Sequence, residues 1–440
     1  MKKVLHLIIF FLSSAALMAQ SGNDNKSALK LSFSERLRIE TYDNVNDLNT
    51  LGTGNQTYTR TKSTLGLDWT INPDLFFGFK LTNEFRKYMA PKKNPFHWNE
   101  LFVEGLYLKV NNIFNGTLTV GRQDISLGDG LIIKDGTPYD GTRDNYFNAV
   151  RFDLKLNKEN TITFLGVYQP KEDNLLPVLN GHDIDAAQQG TDSYILDEQT
   201  ENGFGAYYTG DFGKFNLQGY YFFKTIFNDG KKIVPGSEIH TIGAKIKNQF
   251  DAQLALLAEG AYQFGTIGDY SRSAYALTAY LEYKPGFKQE YLPKTIMPGF
   301  ILLSGDDPAT KDCEGWDPVF GRWPNWSTSY ALTLAKEFGR SAYWSNIMNL
   351  YIKLDFAVAK DVNFTLQNEI LYAPQKSAKT TLLSGDGTYR GNLTTALISY
   401  KFNGNMSGHF LWEHLEAGDY YFVGHSSGYD FVRMELAFAL

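Results

Sequence analysis

Along most of this chain apolar and polar residues alternate with a period of two, over stretches of the roughly 9–11 residues that a tilted membrane-crossing strand needs. Leu31, Phe33, Leu37 and Ile39 fall on one face, and Ser32, Ser34, Arg36, Arg38 and Glu40 fall on the other. One face suits lipid while the other holds charge in water. Glu35 interrupts the apolar face and marks a boundary. The rhythm returns with Val150, Phe152, Leu154 and Leu156 against Arg151, Asp153 and Lys155. It returns again with Phe215, Leu217, Tyr221 and Phe223 against Asn216, Gln218 and Lys224, and over residues 275–284, 362–372 and 430–440. In the last of these Val432, Met434, Leu436, Phe438 and Leu440 oppose Arg433, Glu435 and Ala437, and an apolar final strand suits a barrel-insertion signal.

The connections are of two kinds. Asn157-Lys-Glu-Asn160 and Gly210-Asp-Phe-Gly213 are tight, whereas residues 124–146 and 170–202 are long and rich in Gly and Asp. Short turns alternating with long loops are the asymmetry of an outer-membrane barrel. In lipid every backbone polar group must be satisfied internally, so strands of this kind must close on themselves. The pattern therefore predicts an all-β chain: one transmembrane antiparallel β-barrel of about 18 strands, an even number being expected. Residues 327–350 depart from it, because Tyr330-Ala-Leu-Thr-Leu-Ala-Lys-Glu-Phe338 reads equally as a helical turn in a loop or a short strand.

The first residues add a destination. Lys2 and Lys3, an apolar run from Val4 to Leu12 and small residues up to Ala19 form a secretory signal peptide. Cleavage after Ala19 leaves residues 20–440 as a single barrel domain in the cell outer membrane. The net charge of −6 becomes more negative once the two lysines are lost, which argues against nucleic acid as a partner. Aromatic content of 15% beside a mean hydropathy of −0.30 fits strands with one lipid face and one wet face, bounded by aromatic girdles. Cys313 is the only cysteine, so an intramolecular disulfide and a thiolate metal cluster are both excluded.

Candidate chemistry lies on the wet faces. Arg36, Arg38, Arg60, Lys62, Lys80, Arg86, Arg151, Lys155 and Arg433 share the parity assigned to the lumen. Guanidinium stays charged at every relevant pH and binds carboxylate at two points, so a ladder of arginines eases an anion through a narrow passage. The competing reading is structural pairing, for which Glu40, Asp68, Glu84, Glu100, Glu104, Asp153, Glu282, Glu369 and Glu435 supply partners. Asp306 and Asp307, with Asp129, Asp135 and Asp140, either offer oxygen ligands to calcium or cap their own turns, and no metal site is assigned. Trp316, Trp323 and Trp326 either stack on sugar faces or anchor a loop. His97, His182, His240, His409, His414 and His425 are scattered without a His-Glu-x-x-His helix or a Gly-x-Ser-x-Gly elbow, and Glu413, His414 and Glu416 are the nearest approach to a catalytic constellation. No catalytic residue and no cofactor are assigned; the chain reads as a channel, not an enzyme.

Arg122 shares the parity of Leu118 and Val120 and would face lipid unless Gly121 marks a bulge or the strand ends there, a bulge being the expectation. Around it, Val120-Gly-Arg-Gln-Asp124, Gly128 and Gly141-Thr-Arg-Asp-Asn-Tyr-Phe-Asn-Ala-Val-Arg-Phe152 resemble the alginate export family of outer-membrane barrels. Ser304-Gly-Asp-Asp-Pro308, Trp316-Asp-Pro-Val-Phe-Gly-Arg-Trp-Pro-Asn-Trp326, Leu411-Trp-Glu-His414 and Gly418-Asp-Tyr-Tyr421 extend the similarity over nearly the whole mature chain. The resemblance implies an 18-stranded monomer whose arginine-lined pore passes an acidic polysaccharide outward between gating loops. It adds Arg122, Arg143 and Arg151 as pore cations to Arg36, Arg38, Arg60, Lys62 and Arg86. The implied partners are outer-membrane lipid, the barrel-insertion machinery, and an anionic polysaccharide or small anionic solute. A general or nutrient-specific uptake porin is the alternative, and a surface enzyme or adhesin the third reading.

Overall fold

The structure, a computed structural model, describes residues 27–51, 54–91, 100–134, 146–173, 175–176, 194–195, 199–228, 235–321, 323–340, 343–376, 383 and 385–440. The proposed signal peptide lies outside these residues, as does Arg143. The barrel strands are β1 (Ala28–Asp43), β2 (Gln56–Asn72), β3 (Leu75–Ala90), β4 (Glu100–Ile113), β5 (Gly116–Gln123) and β6 (Phe147–Lys155). They continue as β7 (Asn160–Gln169), β8 (Glu201–Asp211), β9 (Phe215–Ile226), β10 (Ser237–Gln249), β11 (Leu254–Ile267) and β12 (Tyr270–Tyr283). The last six are β13 (Thr295–Leu303), β14 (Ile347–Ala359), β15 (Val362–Tyr372), β16 (Tyr389–Lys401), β17 (Met406–Ala417) and β18 (Tyr429–Ala439).

Each strand pairs antiparallel with its neighbours in the chain, and β1 pairs with both β2 and β18, so the 18 strands form one closed sheet. Closure removes every sheet edge, which is what lipid demands. The outward faces are those the alternation marked: Leu31, Leu37, Ile39 and Val150 are exposed, as are Met434 and Leu436. Polar and charged residues of the opposite parity, Arg38, Glu40, Arg60, Glu84 and Arg433, are buried inside. The hydrophobic core also sits inside the barrel, where loop residues Ile133, Trp316, Phe320, Tyr330 and Leu334 share one cluster with Leu165, Val167, Tyr207 and Phe222 of the wall.

One end of the barrel carries the start of β1, the end of β18 and most of the short turns. The turn chemistry is local and repeated: Asn157 Oδ1 accepts from Glu159 N at 2.9 Å, Asp211 Oδ1 from Gly213 N at 2.8 Å, and Asn403 Oδ1 from Asn405 N at 2.8 Å. These are Asx turns, in which a short side chain replaces a backbone acceptor two residues on. The other end carries the long connections, among them 124–146, 170–200 and 304–346. The ambiguous segment resolves as a helix, α1 (Tyr330–Phe338), inside the last of these connections and ended by Gly339 in the left-handed conformation.

Candidate functional site: the lumen and the segment that crosses it

The inward faces of β18, β1, β2 and β3 form a continuous charged wall. Arg38 Nε donates to Glu435 at 2.5 Å and Arg433 Nε to Glu40 at 2.6 Å. Arg60 reaches Glu84 at 2.7 Å and Glu40 at 3.3 Å, and Lys62 reaches Glu104 at 3.3 Å. Strand register explains the pattern. Arg38 faces Arg60 across β1 and β2, and Arg60 faces Arg86 across β2 and β3, placements that would repel if they stood alone. The carboxylates stand beside them on the next strands, Glu435 opposite Arg38, Arg433 opposite Glu40 and Glu84 opposite Lys62, giving a checkerboard. Arg86 lies over the Tyr58 ring, 5.3 Å from its centroid. Arg36, Arg38, Arg60, Lys62, Arg86 and Arg433 thus share a wall with Glu40, Glu84, Glu104 and Glu435, and cations predominate among these described residues.

Towards the turn end this wall opens into a cavity of about 490 Å³ whose lining includes Arg36, Lys62, Lys80, Glu104 and Lys401. A neighbouring space of about 320 Å³ adds His409, Glu435 and Asp361. Arg36, Lys62 and Lys80, which share the lumen parity in the sequence, all line this cavity.

Arg122 and Arg151 lie on β5 and β6, away from that wall. The expected bulge is absent, since pairing on both sides runs through Gly121 without a register shift; instead Gly121 takes φ +124°, a conformation open to glycine, and the chain changes face there, Val120 being 43% exposed and Arg122 4% exposed. The Arg122 guanidinium donates to both Asp173 oxygens at 2.9 and 3.1 Å, to Val103 O at 2.7 Å and to Asn148 Oδ1 at 3.0 Å. Burial opposes ionisation of Asp173, but the hydrogen bonds and charge of Arg122 outweigh it and hold its carboxyl below the usual range. Arg122 therefore clasps the start of the 170–200 connection to the wall. Arg151 pairs with Asp153 on its own strand at 2.8 Å.

The described residues of the 304–346 connection turn into the barrel as a strap anchored on several walls. Near its start, Asp317 Oδ1 accepts from Lys224 of β9 at 3.4 Å, its backbone N–H donates to Gln263 of β11 at 2.9 Å, and Arg272 of β12 donates to Gly315 O at 2.6 Å. Burial would raise the Asp317 pKa, yet the charges of Lys224, Arg272 and Arg340 prevail and lower it. Phe320–Gly321 pairs parallel with Ile133–Lys134, joining the strap to the 124–146 connection. Trp316, Trp326 and Trp344 are buried and anchor the strap. At the start of α1, Glu413 of β17 accepts from Thr328 N at 2.9 Å, Ser329 N at 2.7 Å, Ser327 Oγ at 3.1 Å and the Ser329 hydroxyl. A carboxylate there satisfies the N–H groups of the cap and of the residue before it, and complements the helix dipole. At the far end Glu337 binds Arg390 of β16. Serines in the strap and a lone wall glutamate carry no spacing signal, so sequence alone could not join them.

Asp307 caps its own turn, its Oδ1 accepting from Ala309 N, and Asp306 Oδ1 closes the loop by accepting from Glu314 N. The string Gly424-His-Ser-Ser-Gly428 has Gly-x-Ser-x-Gly spacing, but it joins two antiparallel strands, whereas a nucleophile elbow needs a strand-to-helix turn. His414 and Glu416 lie on the strand face opposite to Glu413, so the three do not converge.

A closed 18-stranded barrel with a lipid-facing exterior, a charged interior and an inward-folded connection defines an outer-membrane channel of the porin type. The family model for alginate export matches residues 28–373, and the chain belongs to that family. No curated protein sequence matches it. Among solved structures it is similar to OccAB1 of Acinetobacter baumannii at 12% identity and TM-score 0.61, covering 96% of this chain and 99% of that one. It is also similar to OpdK of Pseudomonas aeruginosa, solved with vanillate, at 10% identity and TM-score 0.59, covering 93% and 98%. OpdL of the same organism matches at 13% identity and TM-score 0.57 over 94% and 99%. At these identities the likeness is one of fold.

Proposed function

We propose that the channel passes anionic solutes along the basic wall, with an acidic polysaccharide of the alginate type as cargo. The observation that carries this reading is the predominance of cations on the inward faces of β18 and β1–β3, opening at Arg36, Lys62 and Lys80 into the turn-end cavity. Fixed positive charge in a narrow, partly dry passage lowers the barrier for carboxylates and raises it for cations. Membership of the alginate export family supports the same cargo class. In this reading the turn end faces the periplasm, the loop end faces outward, and the barrel acts as a monomer inserted by the barrel-assembly machinery. Arg36, Arg38, Arg60, Lys62 and Arg86 supply the field. Arg122 and Arg151 act on the path by fixing Asp173 and Asp153, and Arg143 joins them as a proposed pore cation.

A second reading, uptake of small carboxylates, is favoured by the strap across the lumen and by the vanillate in the structure of OpdK. Oligouronates of increasing length, added to channels in a planar bilayer, separate the two. Polymer export predicts current block that tightens with chain length. Equal block by vanillate and by uronate monomer, with no further gain on lengthening, overturns it in favour of small-solute uptake.

A further inference from the structure

On the far side of the ring from β2, the inner faces of β12, β13 and β14 present a surface of different chemistry. Gly299 of β13 pairs with Tyr280 on one side and Tyr351 on the other. A Cβ built on Gly299 would lie 2.5 Å from the Tyr351 ring and 2.7 Å from Tyr280 Cβ. The absence of a side chain there lets the Tyr351 ring close over the strand beside the base of Tyr280, the packing of an aromatic over a strand glycine. Both tyrosines remain partly exposed. Asp129, from the 124–146 connection, lies beside Tyr280, ion-pairs with Lys245, and keeps 46% of its side chain exposed.

We propose that Tyr280 and Tyr351 form a stacking surface for the sugar rings of the cargo, with Asp129 accepting from sugar hydroxyls beside them. The inference deepens the proposed function and rests on it. The C–H groups of a sugar ring carry partial positive charge and pack on the negative face of an aromatic ring, an attraction that tolerates sliding because it is weakly directional. The two sides of the lumen then read two features of one molecule, its charge and its ring faces. A charged chain without rings satisfies only the first.

The test compares current block by an oligouronate with block by an aliphatic tricarboxylate such as citrate, in wild type and in the Tyr280→Leu/Tyr351→Leu variant. Leucine keeps apolar cover over Gly299 while removing the aromatic face, and an open-channel conductance like that of wild type certifies the folded barrel. Should the double variant fail to conduct, the single Tyr280→Leu variant takes its place, since the Tyr351 ring then still covers Gly299. The stacking surface predicts that oligouronate block weakens by about three-fold to ten-fold per ring removed while citrate block is unchanged. Equal weakening for both anions, or none for either, overturns the stacking surface but leaves the anion channel standing. Absence of block by both anions in wild type would instead overturn the anion channel itself.

Discussion

Arg390 of β16 and Glu337 of α1 form a two-point ion pair at 2.7 and 3.0 Å with both side chains fully buried. The Arg390 guanidinium also lies 4.0 Å from the centroid of the Tyr420 ring, and the Tyr420 hydroxyl donates to Glu337 at 2.5 Å. Removing one partner of such a pair leaves an uncompensated buried charge and costs about 3–5 kcal/mol. Arg390→Met is therefore expected to free the end of α1, giving larger and noisier single-channel currents. The paired change Arg390→Met/Glu337→Leu is expected to restore most of the quiet wild-type trace. Single-channel recording of the three proteins checks both outcomes.

Glu413 holds the other end of the helix through two backbone N–H groups and two hydroxyls. Hydrogen bonds to a charged acceptor contribute about 1.5–3 kcal/mol each. Glu413→Ala is expected to loosen the strap at least as much as Arg390→Met, and Glu413→Gln less, because the amide oxygen still accepts. Limited proteolysis within residues 323–340 of the folded barrel ranks the variants, with cleavage fastest in Glu413→Ala.

Those clasps mark the limit of what the sequence offered. The alternation of Leu31, Phe33, Leu37 and Ile39 with Arg36, Arg38 and Glu40 was readable because strand geometry is local, and closure followed because an open edge cannot sit in lipid. The inward turn of Arg122 was readable too, since a glycine next to a parity conflict signals a change of face. The strap was not. Its segment carries helical and strand periods at once, and its partners lie 53 residues away at Arg390 and 84 or more at Glu413. Pairing between charges that far apart depends on the closed barrel and leaves no mark on spacing. Trp316 and Trp326, open in sequence to either sugar binding or anchorage, proved to be buried anchors.

Asp317 gives the strap an acid limit. Its folded pKa is depressed, so the stability it contributes is fully present above its ordinary unfolded value and is lost as pH falls through the lower folded value. Channel noise is expected to stay flat from neutral pH down through the usual carboxylate range and to rise only in stronger acid. Asp317→Asn is expected to be noisier at neutral pH and to lose that acid-dependent step, which a pH series of bilayer recordings reads directly.

Gly121 is expected to tolerate no side chain. A Cβ there would lie 2.2 Å from Leu106 O, and its φ of +124° is strained for any other residue. Gly121→Val is expected to cost upwards of about 1–3 kcal/mol and to misplace Arg122 from Asp173. Denaturant unfolding of the refolded barrel in detergent measures the loss, and Gly166→Val, where a Cβ meets nothing within 4 Å, serves as the control.

The central claim is that the basic wall makes the lumen a passage for anions. Its most direct test is the reversal potential of the wild-type channel under a salt gradient, repeated for Arg36→Gln/Lys62→Gln, which removes two cations from the turn-end cavity. A wild-type potential displaced toward that of the anion, and moved back toward zero in the double variant, is the predicted result. A cation-selective or unselective wild type, or a double variant with unchanged selectivity, would contradict it.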